Sequence, residues 1–176
     1  MRKSSQQIKY ITVSAMLAAL GVIIMAVGAF VEVLDLSTAV LASMLCIYAV
    51  IEIKGSYPWM IWLSTSVLSL ILLPIKTPAV FYAMFFGFYP ILKEKLERLP
   101  RLLSWILKLV IFHACIALIW SVFKLFVPAV LAEFGGGWML ASLYALALVC
   151  FVLYDIALTR LITFYIFRLR GRFRMK

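Results

Sequence analysis

Six apolar segments, at about 10–31, 37–53, 57–74, 78–92, 102–127 and 138–167, follow one another with only short polar breaks between them. The first carries about 20 apolar residues, enough to cross roughly 30 Å of hydrocarbon at about 1.5 Å per residue. It follows Arg2 and Lys3 as a signal peptide would. It is longer than a typical signal core, however, and five more segments come after it, so it is expected to be a retained first span. Glu32 and Asp35 mark an outer loop, and Glu52, Lys54 and Gly55 close the second segment. Tyr57, Pro58 and Trp59 open the third, with a proline suited to a first helical turn and aromatics suited to a membrane interface. The pattern predicts an all-α, polytopic integral membrane protein of six transmembrane helices in a single domain.

Two segments depart from a plain span. The fourth is short and holds Gly87 and Pro90, so a re-entrant loop competes with a tilted or broken span. The sixth is too long for one bilayer unless tilted, and its last turns are expected to form a basic interfacial helix. A basic connector, Lys93 to Arg101, separates the fourth and fifth segments, and a loop from Pro128 to Gly137 with Glu133 and three glycines separates the fifth and sixth. No repeat of fixed period is visible, which argues against an inverted-repeat transporter.

Charge supplies the orientation. Of the seventeen Lys and Arg residues, fifteen fall at alternate ends of the six segments, leaving only Lys76 and Lys124 for the other face. Basic loops stay in the cytoplasm during insertion, so both termini are expected there. The same parity favours a fourth segment that crosses; otherwise the Lys93–Arg101 connector would lie outside. The expected location is a plasma membrane. A net charge of +10 in a chain that is 66% hydrophobic reads as orientation and attraction to anionic lipid, not as nucleic-acid binding.

Candidate chemistry is sparse. There is no phosphate-binding loop, no HExxH pair and no GxSxG elbow, so no enzyme is expected. The run Gly135–Gly137 lacks the preceding strand that a phosphate loop needs. Cys46, Cys115 and Cys150 match no metal or redox spacing and are expected to be packing residues; no metal or other cofactor is implied. His113, Ala117, Trp120 and Lys124 share one helical face, where an ionisable residue at membrane depth faces protein or water. Together they suggest an outward cavity, with Lys76, Tyr82, Trp138 and Tyr144 as further outer-half candidates. The plain alternatives are packing for His113 and snorkelling for Lys124. Ser66 and Ser69 share a face, and Asp155 is expected to meet a basic residue on another helix. Ala39, Ala42, Cys46 and Ala49 make a small-residue stripe suited to helix packing, while Ala15 and Ala19 form an AxxxA pair at the cytoplasmic end of the first segment.

The opening Thr12-Val-Ser-Ala-Met-Leu-Ala-Ala-Leu-Gly21, together with size, six spans and cytoplasmic termini, resembles the S components of energy-coupling factor transporters. That resemblance implies a membrane subunit that captures a vitamin-like solute from outside. It implies docking through Ala15 and Ala19 onto a transmembrane T component that carries two ABC-type ATPases. In such a subunit Trp120 and Trp138 would stack on a planar ligand while Lys124 and His113 anchor its polar groups. The competing reading is a membrane scaffold similar to the MreD-type proteins of bacterial wall synthesis.

Overall fold

The computed structural model describes residues 2–31, 34–53, 55–126 and 137–169, and all its regular structure is helical. Helix α1 runs Arg2–Phe30, α2 Asp35–Glu52 and α3 Tyr57–Leu72. A short α4, Thr77–Phe81, passes into a π-helical turn, Tyr82–Phe86, and α5 follows at Tyr89–Leu96. Helix α6 is Arg101–Phe126, and α7, Gly137–Phe164, ends in a second π-helical turn, Tyr165–Leu169. Glu32, Lys54, Glu133, Gly135 and Gly136, and the basic residues from Arg170 onward, lie outside the described residues.

Among the described residues four helices are long and apolar enough to cross a membrane: Gln6–Phe30, Asp35–Glu52, Arg101–Val122 and Gly137–Arg168. The third predicted span is apolar but only 16 residues long, about 24 Å at the helical rise. The fourth is no continuous helix. Pro78 opens its first half and Pro90 its second, and neither proline has an N–H to carry a helical ladder across its position. The connector expected to begin at Lys93 starts later, because Lys93 to Leu96 form the last turn of α5.

The chain divides into two compact units, one ending at Ile111 and the other beginning at Phe112. In the first unit α1, α2 and α3 pack on one another, and α2 also meets α4, the π turn and α5. The α1 seam is made of Ser14, Ala18, Gly21, Met25, Gly28 and Ala29, all buried at helical spacing. Small side chains let backbones approach, which is what holds helices together where lipid removes the usual hydrophobic drive. Gly28 takes this furthest: a β-carbon there would lie 1.9 Å from Thr38 Oγ1. The α2 stripe of Ala39, Ala42, Cys46 and Ala49 is likewise buried.

In the second unit Phe112 stacks on Phe151, with ring centroids 4.6 Å apart. The buried positions of α7, Phe151, Tyr154, Asp155 and Leu158, again follow the helical period.

Candidate functional site

The residues singled out from the sequence fall into both units. Lys76, Tyr82, Ala15 and Ala19 belong to the first; His113, Trp120, Lys124, Trp138 and Tyr144 belong to the second.

Two of them have local roles in the first unit. Lys76 sits in the turn after α3, and its Nζ donates to the carbonyl of Leu73 at 2.5 Å and, more weakly, to that of Ile71 at 3.4 Å. A cation at a helix C-terminus satisfies carbonyls left without a helical donor and complements the helix dipole. Tyr82 is buried at the π turn, and its hydroxyl meets Cys46 Sγ of α2 at 3.1 Å. Tyr82 is thus a packing residue between helices rather than an exposed ligand contact.

Ala15 and Ala19 are exposed, beside the buried seam of α1 rather than within it. They line a groove of about 280 Å³ between α1 and α3, together with Ile11, Ser14, Ala18, Tyr57, Met60 and Ser64 among others. Ser14 is nearly buried at its edge, and its hydroxyl has no hydrogen-bond partner among the described residues. Unsatisfied buried hydroxyls are uncommon, and this oxygen is itself buried beneath the groove's edge. The groove exists because small side chains occupy one face of α1 where α3 presents Tyr57, Met60 and Leu68.

In the second unit the Tyr144 hydroxyl is hydrogen-bonded to His113 Nε2, joining α7 to α6. Both side chains are exposed, so this polar pair lies open at the surface of the helix pair. Trp120 is 43% exposed and Trp138 92%, and Lys124 is exposed as well. His113, Trp120 and Lys124 thus lie on one exposed face of α6, joined by Tyr144 through its bond to His113. None of the seven expected solute-binding residues lines the α1–α3 groove. No group of three or more metal-ligating side chains occurs among the described residues.

A polar cluster that the pattern of segments concealed lies at the α5–α6 corner. Lys93 is fully buried, with Nζ 3.1 Å from Glu97 Oε1, and the same oxygen lies 3.8 Å from Nζ of the buried Lys108. Lys108 also lies over the Trp105 ring, 5.4 Å from its centroid. The i, i+4 spacing of Lys93 and Glu97 was visible in the sequence. Nothing in the sequence set that pair apart from the solvent-exposed Glu94–Arg98 pair one residue further on, which is 2.7 Å apart. Asp155 is buried and Arg160 exposed, so they do not share an environment.

Compared with family models, with curated proteins and with solved structures, the chain matches none.

Proposed function

We propose that this chain is a membrane-embedded, solute-binding subunit of an energy-coupling-factor type importer. It crosses a bacterial plasma membrane six times with both termini inside, and captures a vitamin-like molecule from the outer side. The observation that carries the reading is the α1–α3 groove, with Ala15, Ala19 and the unpartnered Ser14 along it. A transmembrane helix of a partner fits such a surface, because small residues admit close backbone approach. The partner is the T component, and through it two ABC-type ATPases supply the energy. The chain itself hydrolyses nothing. The orientation rests on the alternation of basic loops, which puts Ala15 and Ala19 in the cytoplasmic half of α1. Solute capture rests on the exposed polar and aromatic face of His113, Trp120, Lys124 and Tyr144.

Affinity purification of the full chain from its native membrane in mild detergent, followed by mass spectrometry, tests the partner. ABC-type ATPases are expected to co-purify with the wild-type protein. Ala15→Leu with Ala19→Leu is expected to reduce them at least about tenfold, at unchanged yield of the chain, since two isobutyl groups fill the groove. Wall-synthesis proteins in their place would favour the scaffold, a reading that draws on the same groove and on the absence of any expected solute residue from its lining. Solute binding has its own test once a ligand is identified. Trp120→Ala should weaken the Kd about threefold to tenfold, the range of one aromatic stacking contact. An unchanged Kd would remove Trp120 from the site.

A further inference from the structure

The stretch from Lys93 to Lys108, which joins α5 to α6, carries five cations against two carboxylates. Both carboxylates are engaged. Glu94 pairs with Arg98 at 2.7 Å, and Glu97 faces Lys93 and Lys108. Lys95 and Arg101 are left exposed, and neither meets a carboxylate among the described residues. Lys95 instead lies over the Trp59 ring of α3, 5.9 Å from its centroid. Residues two apart on a helix point to nearly opposite sides, so Lys95 looks away from the cluster around Lys93. Arg101 is the first residue of α6. Directly after it, Leu102, Ile106 and Val110 recur at i, i+4 and i+8, all exposed and Leu102 at 79%. Trp105 is exposed beside this stripe.

We propose that this corner is a binding site for anionic phospholipid. Arg101 takes the headgroup phosphate, whose oxygens suit the fork of a guanidinium. The acyl chains lie along Leu102, Ile106 and Val110, and Lys95 extends the positive edge along α5 towards α3. An unpaired cation at the head of an apolar stripe thus meets the two chemistries of a phospholipid in the order that the lipid carries them. Trp59 and Trp105 set the depth, because tryptophan settles at the level of the headgroups. Helix α6 is long and apolar enough from Arg101 to Val122 to carry the stripe into the hydrocarbon. The alternation of basic ends assigns the site to the cytoplasmic leaflet. Selection for an anionic headgroup comes from charge: no carboxylate of the protein competes for Arg101 or Lys95, and each such cation contributes roughly a fivefold gain in binding to an anionic lipid surface. The site rests on α6 crossing the membrane and not on the chain being a transporter.

Native mass spectrometry of the purified full chain in detergent, titrated with dioleoylphosphatidylglycerol or dioleoylphosphatidylcholine, tests the site. The wild-type protein is expected to take up its first phosphatidylglycerol at least about fivefold more tightly than phosphatidylcholine. Arg101→Gln and Lys95→Gln are each expected to weaken phosphatidylglycerol about fivefold and to leave phosphatidylcholine unchanged. Arg168→Gln, at the end of α7, lowers the net charge by the same amount and is expected to change phosphatidylglycerol binding less than about twofold. Equal losses from Arg101→Gln and Arg168→Gln would overturn the proposal, since net charge and not a built site would then govern binding. Equal wild-type affinity for the two lipids would also overturn it, leaving the two cations to an acidic protein partner.

Discussion

Replacing Gly28 by alanine is expected to lower the melting temperature of the purified protein by about 5 °C. The added methyl would lie 1.9 Å from Thr38 Oγ1, 2.8 Å from its Cβ and 2.9 Å from its Cγ2, so α1 and α2 must separate. Thr38 has little freedom to yield, because its hydroxyl donates to the carbonyls of Leu34 at 3.0 Å and Asp35 at 3.1 Å. Overpacking costs about 1–3 kcal/mol, and more where backbones must part. Alanine's better helix propensity returns up to about 1 kcal/mol. The net, about 2 kcal/mol, corresponds to the shift above for a chain of this size. Thr38→Ala in the Gly28→Ala background removes two of the three clashing atoms and should restore part of the loss. A Gly28→Ala protein as stable as wild type would mean that the two helices do not cross at this point.

Glu97→Ala is expected to destabilise the first unit more than Lys93→Met does. Glu97 places one carboxylate oxygen between two buried ammonium groups, while Lys93 is only one of its two partners. Removing the carboxylate leaves two buried cations with less compensation, whereas Lys93→Met keeps an apolar stem of similar shape in the same space. Breaking a buried pair from one side costs about 3–5 kcal/mol; here the figure falls to about 2 kcal/mol, because Glu97 is itself 39% exposed and water screens it. The two changes are coupled, so Glu97→Ala should cost less once Lys93 is already Met. Thermal denaturation of the four proteins of this cycle measures that coupling, and strict additivity would show that the ion pair is not formed.

These two expectations arise from features of unequal legibility. The seam of Ser14, Ala18, Gly21, Met25 and Gly28 repeats at helical spacing in the sequence, yet the choice of Thr38 as the residue facing Gly28 required the crossing of α1 and α2. Burial of Lys93 was invisible. A basic residue after an apolar run reads as a cytoplasmic loop, and only the tertiary structure shows it buried, with Lys108 of α6 near the same Glu97 carboxylate. The fourth segment shows the reverse balance. Gly87 and Pro90 announced an irregular helix, because one lacks a side chain and the other an N–H. The position of the break, its π turn and its hydrogen bond from Trp62 depend on α3 lying alongside.

The candidate site was legible in its face and not in its surroundings. Spacing alone puts His113, Trp120 and Lys124 on one side of α6, since helical geometry is local. The bond from Tyr144 to His113 lies 31 residues away in sequence and was beyond any periodicity. Tyr82 and Lys76 looked alike as outer-half polar residues; the tertiary structure separates them into a buried link to Cys46 and a helix cap.

By itself the sequence determined that the chain is helical and that it is apolar enough for a membrane. Hydrophobic length, proline positions and charge placement act within a segment or at its ends, so they are written locally. The tertiary structure decided which small residues became a buried seam and which, like Ala15 and Ala19, were left along a groove. It also decided which lysines were enclosed and which tryptophan met the break. Each depends on what a neighbouring helix presents at the same depth, and residues far apart in the chain supply it.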